Sequence, residues 1–194
     1  VDVVFMPPEL YPKGFETRVT VPALDKGLCS ISRPHFFTGV ATVVHRLLLI
    51  TKCHTAAFGE KDYQQLAIIR RMVDDLQVAV DMIGVPIERA EDGVALSSRN
   101  KYLSDADRVR ARTLSASLRA MQASVAAGQR DVAALLAEAE AQLQVDDLDY
   151  LQIVDRHSLE PLTHVHGPAR VAIAAVVGQT RLIDNMALTP PDGS

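Results

Sequence analysis

The chain is organised around residues 58–66, Phe58-Gly59-Glu60-Lys61-Asp62-Tyr63-Gln64-Gln65-Leu66. This stretch follows a short apolar run and opens a segment in which Leu66, Ile69, Val73 and Leu76 recur at helical spacing. We therefore expect a strand that ends at Gly59 and a helix over about 62–76. Such a junction can bind an anion, because the free N–H groups and the positive dipole end of the helix face the loop, and a glycine lets a ligand approach the backbone.

Three side chains in this stretch suit a ligand site. Lys61 carries a positive charge, Asp62 can accept a hydroxyl group, and Gln65 lies one turn further on with both a donor and an acceptor. A helix start with a capping Asp62 and a solvated Lys61 explains the same residues equally well. The spacing alone leaves both interpretations open.

The composition narrows the class of protein. The chain has 194 residues, of which 48% are hydrophobic and 5% aromatic, and this predicts an aliphatic core in one domain or two small ones. The net charge of −4 gives no reason to expect nucleic acid or a membrane surface as a partner, so any bound anion must be held locally. No apolar run approaches the ~20 residues of a membrane span and no signal peptide is recognisable, so we expect a soluble, cytoplasmic protein.

The cysteines and histidines do not predict a metal site. Cys29 and Cys53 are the only cysteines and lie far apart, so we expect reduced thiols. His164 and His166 alternate, but nothing nearby completes a ligand set, and we expect no metal site there.

The order of the predicted elements indicates an α/β fold. A helix over 38–50, a strand over 55–58, the helix over 62–76 and a strand over 78–83 follow one another with short joins, which favours a parallel sheet with crossovers. Ligands of such sheets bind beyond the carboxyl ends of the strands, where Gly59 lies. Further predicted elements are a buried strand over 1–6, an edge strand over 17–21, a loop over 23–34, helices over 104–128 and 131–144, and strands over 149–154, 170–177 and 180–185.

A second candidate site is Leu96-Ser97-Ser98-Arg99, in the loop after Gly93. Two hydroxyl groups beside a guanidinium can hold a phosphate and offset the charge that develops during phosphoryl or nucleotidyl transfer. An ordinary polar loop is the alternative. Two donor-rich loops at one edge of a parallel sheet would suit a triphosphate, so we expect the two stretches to form one site.

Both stretches, 58–66 and 92–103, closely resemble the pantothenate synthetase family. The resemblance extends to 33–44, 83–86 and 181–185, so it covers nearly the whole chain. It implies an incomplete Rossmann-like nucleotide-binding domain over 1–87, a C-terminal α+β domain over 88–189 and a tail over 190–194, which we expect to be disordered.

The resemblance also implies an activity, that of a pantoate:β-alanine ligase of the nucleotidyltransferase superfamily. In that family ATP and pantoate form a pantoyl adenylate with loss of pyrophosphate, Mg²⁺ assists, and β-alanine then displaces AMP. For this chain the resemblance places ATP against Gly59, Glu60, Lys61, Asp62, Glu88, Leu96, Ser97, Ser98 and Arg99.

Within that set the resemblance implies different roles. Lys61, Ser97, Ser98 and Arg99 would be catalytic by offsetting phosphate charge, Asp62 would bind the ribose and Glu88 would touch adenine through its backbone. Gln65 would hold pantoate. The partners implied are pantoate, β-alanine and ATP, with a homodimer as the state of the full-length protein.

Two departures from the family pattern set limits on these expectations. The family's His-Ile-Gly-His-like segment is absent from the 194 residues, so we expect that an N-terminal portion is missing and that these residues alone are inactive. The pattern Arg-Pro-x-His-Phe-x-Gly-Val fits Arg33 and Gly39 only if Phe36 takes the His position. His35 could then simply lie in the turn before a helix that Thr38 caps.

Two other functions remain open at this point. One is another adenylate-forming nucleotidyltransferase with the same two loops, such as a cytidylyl- or adenylyl-transferase. Gln65 distinguishes the two possibilities, because an enzyme that holds a small hydroxy acid has a use for an amide there. The other is a regulatory or scaffold protein that kept the fold after losing catalysis.

Overall fold

The structure is a computed structural model that describes residues 1–191. Its helices are α1 (Cys29–Ser32), α2 (Phe36–Thr51), α3 (Tyr63–Asp75), α4 (Asp105–Ala126) and α5 (Val132–Glu140). Its strands are β1 (Thr55–Gly59), β2 (Asp81–Val85), β3 (Asp147–Asp155), β4 (Ala169–Val177) and β5 (Thr180–Leu188), and short 3₁₀ turns occupy Glu60–Asp62 and Ser98–Tyr102. The predicted tail over 190–194 lies largely outside the described residues, which end at residue 191.

A parallel strand pair carries the first candidate stretch. β1 and β2 pair in parallel with α3 as the crossover between them, as the periodicity predicted. The apolar face of α3 packs against the apolar face of α2 and forms one hydrophobic cluster with it. The chain therefore reaches the carboxyl end of β1 at Gly59 and enters the 3₁₀ turn that holds Lys61.

An antiparallel sheet in the order β3-β4-β5 forms the rest of the fold. Its buried face packs against α4 and α5 around residues such as Ile173, which is fully buried. Ser104 caps α4, since its Oγ accepts a hydrogen bond from the N–H of Asp107 at 3.1 Å, as predicted. The α/β fold class is confirmed. The boundary near residues 86–90 stays a prediction, because Val154 and Ala172 share the hydrophobic cluster of α2 and α3.

The two strands expected near the N-terminus are absent from the described part of the chain. Residues 1–6 are exposed and find no partner strand there, so apolar composition alone did not make a strand. Residues 17–21 form no strand. The N–H of Val19 donates instead to a side chain, Thr42 Oγ1, at 3.0 Å. The loop expected over 23–34 contains the short helix α1.

Both helix caps expected in the first half of the chain are also wrong. α2 begins at Phe36, which places Thr38 inside its first turn, and the residue before it is His35 in a left-handed conformation with φ 66°. Asp62 precedes α3 but accepts no capping hydrogen bond, so its carboxylate is not used by the helix start. In addition, β2 runs over Asp81–Val85, so it begins three residues and ends two residues later than predicted.

Strand β5 connects the two sheets at the Lys61 turn. The side-chain amide of Asn185 donates to the carbonyls of Glu60 and Lys61, each at 2.9 Å. Its Oδ1 accepts from Arg170, whose guanidinium lies 3.9 Å from the centre of the Tyr63 ring and 3.3 Å from the Glu60 carboxylate. The turn after β1 is thus held against the antiparallel sheet by side chains that lie far away in sequence.

Two ion pairs hold the loop that leads to the second candidate stretch. Arg89 donates two hydrogen bonds to Asp184 at 2.7 and 3.0 Å, and the Asp184 side chain is only 4% exposed. Arg108 of α4 donates two hydrogen bonds to Asp92 at 2.6 and 2.9 Å. The loop before Leu96 is therefore fixed to both β5 and α4.

No helix within residues 1–191 combines the length and the apolar character that crossing a bilayer requires.

We expect Ile173→Ala to lower the free energy of unfolding by about 2–5 kcal/mol, because it leaves a cavity in the core of the antiparallel sheet. Ile83→Ala is the matched control, since Ile83 is 50% exposed and its truncation should cost less than about 1 kcal/mol. Urea denaturation of both variants measures the difference. Equal losses would contradict the assignment of the core.

We expect Asn185→Ala to loosen the Lys61 turn, because two backbone carbonyls and Arg170 lose their partner. Amide hydrogen exchange of residues 60–63 should become about ten-fold faster or more. The control Gln122→Ala removes an exposed hydrogen bond to Ala187 of the same strand and should leave this exchange unchanged. Unchanged exchange in the Asn185 variant would show that the amide does not hold the turn.

The ion pair of Asp92 should make stability depend on pH. Its hydrogen bonds with Arg108 hold the pKa of the Asp92 carboxyl below its usual value. The stabilisation is therefore present above the unfolded pKa of about 4 and is lost as the pH falls through the lowered folded pKa. We expect Asp92→Asn to be less stable than the wild type by about 1 kcal/mol at pH 7, and the gap to close at strongly acidic pH. Urea denaturation at both pH values measures it, and a constant gap would contradict this origin.

Candidate functional site

A cavity of about 230 Å³ lies where the two candidate stretches meet. Lys61, Asp62 and Gln65 of the first stretch line it, and so do Ser97 and Arg99 of the second. The structure therefore brings these five predicted site residues together around one space. The others lie outside its wall: Gly59, Glu60, Glu88, Leu96 and Ser98.

The first stretch places its side chains in the cavity through the turn after β1. Lys61 lies in the 3₁₀ turn and Gln65 in the first turn of α3, and both line the cavity. Glu60 is directed elsewhere, since its carboxylate pairs with Arg170 at 3.3 Å. A cation, a carboxylate and an amide thus remain on the cavity side of one turn.

Gln64 and Gln65 are neighbours in the first turn of α3 but differ in their hydrogen bonds. Gln64 is buried; its amide nitrogen donates to the carbonyl of Leu24 at 3.0 Å and its Oε1 accepts from the N–H of Cys29 at 3.1 Å. Gln64 therefore anchors the loop that carries α1. Both glutamines line the cavity, but the Gln64 amide is occupied by these hydrogen bonds, which leaves Gln65 for a ligand.

The second stretch forms a short 3₁₀ turn over Ser98–Tyr102. Ser97 starts the turn and accepts a hydrogen bond from the N–H of Arg99 at 3.2 Å. The Arg99 guanidinium donates to the backbone carbonyl of Arg181 on β5 at 3.4 Å. Ser98 is exposed and lies outside the cavity wall, so the two serines of the stretch are not equivalent.

Asn100 is a site residue that the sequence analysis missed. Its amide nitrogen donates to the carbonyl of Ala95 at 3.0 Å, while its Oδ1 is buried and has no hydrogen-bond partner in residues 1–191. Asn100 lines the cavity. A buried acceptor without a partner is costly, so this oxygen can accept a hydrogen bond from a ligand.

Arg33 and Phe36 also line the cavity, whereas His35 does not. The Arg33 guanidinium lies 5.4 Å from the centre of the Phe36 ring. The position at which the sequence pattern places a histidine is therefore occupied by an aromatic ring in the wall. Arg33 belongs to the family pattern, but the sequence analysis gave it no role in ligand binding, because the pattern alone does not show which of its residues lines a cavity.

One wall of the cavity is held neutral by burial. Burial raises the pKa of Tyr150 far above its ordinary value, and the neutral phenol lies 3.1 Å from the sulfur of Cys29. Beside them, burial acts against the charge of Arg181, but its hydrogen bonds with Asp149 outweigh this and raise its pKa. Both cysteines are free thiols, as predicted.

The charges in the cavity wall divide into paired and unpaired groups. Arg170 pairs with Glu60, Arg181 pairs with Asp149, and Asp184 pairs with Arg89. Lys61, Arg33 and Arg99 have no ion pair within residues 1–191. The cavity therefore offers three uncompensated cations, which favours an anionic ligand.

No group of three or more His, Cys, Asp or Glu side chains within the described residues is arranged to hold a metal ion. Asp62 is the carboxylate of the cavity wall that forms no ion pair in this part of the chain. It is thus the side chain in the wall that could contact a cation brought in by a ligand.

The chain is similar to known proteins over nearly all of its length. The model of the pantoate-beta-alanine ligase family matches residues 1–187. The pantothenate synthetase of Rhizorhabdus wittichii is 49% identical over 184 residues, which are 93% of this chain and 65% of that protein. The pantothenate synthetase of Syntrophobacter fumaroxidans is 47% identical over 98% of this chain and 69% of its own length. The chain thus spans about two thirds of the length of these curated relatives.

Solved structures agree with the sequence relatives. The crystal structure of pantothenate synthetase from Thermus thermophilus superposes with a TM-score of 0.86 at 45% identity, over 93% of this chain and 67% of that one. The pantoate-beta-alanine ligase of Francisella tularensis, complexed with beta-gamma ATP and beta-alanine, has a TM-score of 0.65 at 31% identity, over 91% and 60% of the two chains. On the family match and these identities, the chain belongs to the pantoate-beta-alanine ligase family.

Proposed function

We propose that this chain takes part in the ATP-dependent condensation of pantoate with β-alanine, through a pantoyl adenylate, with release of pyrophosphate and AMP. The observation that carries the proposal is the convergence of Lys61 and Gln65 with Ser97 and Arg99 on one cavity, in which Lys61 and Arg99 form no ion pair with residues 1–191. Membership of the family supplies the identity of the substrates.

The residues of the cavity suit the adenylation step. A carboxylate that attacks the α-phosphorus needs aligned reactants and offset charge more than it needs a general base. Lys61 and Arg99 would supply positive charge to the phosphates, and Ser97 a hydroxyl donor. Asp62 would accept from the ribose, and Gln65 would hold pantoate through its amide.

The remaining proposed ATP contacts lie just outside the cavity wall. The N–H of Leu96 donates to the carbonyl of Glu88 at 2.8 Å, so these two residues are neighbours on one side of the site. We propose that adenine lies along this backbone, with Gly59 and Glu60 contacting ATP through their backbone. Ser98 would reach the phosphates when the loop closes.

Mg²⁺ is part of the proposal as a cation that the nucleotide carries. Mg²⁺ is usually held by substrate phosphates, waters and one or two carboxylates. The residues fit this arrangement, since Asp62 provides a carboxylate in the wall without an ion pair in the described chain. When bound, Mg²⁺ would neutralise phosphate charge; the residues of the chain bind and orient the substrates.

We further propose a homodimer for the full-length protein and a cytoplasmic location. Both rest on the likeness to the family. Sedimentation equilibrium of the protein measures the first, and fractionation of the cells that make it measures the second.

Lys61→Ala should weaken ATP binding about ten-fold or more, because a charged hydrogen bond to phosphate is lost. Isothermal titration calorimetry of the 194-residue chain measures the dissociation constant. The control Lys13→Ala removes the same charge from an exposed turn away from the cavity. If wild type and Lys61→Ala bind ATP equally, Lys61 has no place in a nucleotide site and the non-catalytic alternative is favoured.

The reaction itself is tested by AMP release with pantoate and β-alanine. Because the His-Ile-Gly-His-like segment is not among these 194 residues, we expect release by this chain alone to be slow or undetectable. Robust release that depends on both substrates would confirm the reaction and refute the need for that segment. Release that depends on a different acid would assign the chain to another adenylate-forming reaction.

A further inference from the structure

The rim of the cavity contains three arginines, Arg33, Arg99 and Arg181. The same three line a neighbouring cavity of about 790 Å³, so they stand where the two spaces adjoin, which is called the opening below. Lys61 and Gln65 line only the first cavity. A ligand that extends from Lys61 towards the opening would therefore place its outer end among the arginines.

Only one of these arginines is neutralised within residues 1–191. Arg181 donates to Asp149, which also accepts a hydrogen bond from Ser32 at 3.1 Å. Arg33 contacts the face of the Phe36 ring, and no carboxylate pairs with it in the described chain. Its charge is thus available to an anion at the opening.

Arg181 contacts the chain beside both of the other arginines. Its guanidinium donates to the hydroxyl of Ser32, the residue before Arg33, at 3.4 Å. Its backbone carbonyl accepts from the Arg99 guanidinium at 3.4 Å. Arg33 and Arg99 lie in the wall that the two cavities share, and planar guanidinium groups match phosphate oxygens well.

We propose that Arg33 binds the terminal phosphates of the nucleotide together with Arg99, and so holds the pyrophosphate that leaves in the adenylation step. This inference rests on the proposed function. It adds Arg33, on the turn between α1 and α2, to a site otherwise built from the two loops. Lys61 binds the inner part of the triphosphate, and Arg33 and Arg99 bind its outer part.

Calorimetric titration of the 194-residue chain with ATP, pyrophosphate and AMP tests the inference. Arg33→Ala should weaken the binding of ATP and pyrophosphate about 10- to 100-fold, because a charge-assisted hydrogen bond is lost. AMP lacks the outer phosphates, and its affinity should stay within about two-fold. Arg33→Lys, which keeps the charge but loses the planar fork, should lie between the two.

Arg18→Ala is the matched control, since it removes the same charge from an exposed residue. The Arg18 guanidinium donates to the backbone carbonyls of residues 16 and 17. The affinity of this variant for all three ligands should equal that of the wild type. Thermal denaturation shows whether each variant is folded, and if Arg33→Ala unfolds, the comparison of Arg33→Lys with the wild type decides.

The outcomes separate this inference from the function on which it rests. If the wild type binds ATP and the Arg33 variants bind pyrophosphate as the wild type does, the role of Arg33 is overturned and the function stands. An equal loss of AMP and pyrophosphate affinity also overturns it, since Arg33 would then act on the site as a whole. If the wild type binds none of the three ligands, this inference is overturned, and AMP release by a protein that carries the His-Ile-Gly-His-like segment decides the proposed function separately.

Discussion

Two hydrogen bonds from the Asn185 amide to the carbonyls of Glu60 and Lys61 join the antiparallel sheet to the turn after β1, and the geometry of the cavity depends on them. A strand that ends in a 3₁₀ turn does not by itself fix the direction of the side chains that follow. The amide nitrogen supplies two donors and the amide oxygen accepts from Arg170, so one side chain of β5 binds three partners. The parallel and antiparallel sheets therefore meet in one geometry, and Lys61 faces the cavity because its backbone is tied down.

The ion pairs of the wall and the unpaired cations perform different tasks. Arg170 and Arg181 are held by Glu60 and Asp149, so each occupies one position and helps to shape the cavity. A cation whose charge is already compensated has little to gain from a ligand. The cations without an ion pair in residues 1–191 are the ones that a bound anion would stabilise. An arginine can therefore support the cavity wall at one position and be available to a ligand at another.

The sequence predicted the elements whose pattern is local and missed contacts between distant residues. The helical spacing of Leu66 and Val73 was enough to predict α3, and the motif spacing was enough to place Lys61 after a strand. The contact between Asn185 and Lys61 spans 124 positions and has no local signature. The strand predicted over residues 1–6 was wrong for the opposite reason. The apolar pattern of these residues suits a strand, but a strand forms only beside a partner strand, and the described chain offers none there.

The anchoring of the second loop limits how the site can close. Arg89 and Asp92 fix its base through ion pairs with Asp184 and Arg108, and the backbone of Leu96 is bonded to Glu88. Beyond that point Ser98 and Arg99 are exposed, and the Arg99 guanidinium has a single long hydrogen bond to β5. Few hydrogen bonds hold this tip, whereas movement of the base would break the ion pairs of Arg89 and Asp92. We therefore expect closure on a ligand to be confined to the turn that carries the serines and the arginine, and the backbone beside Glu88 to stay in place.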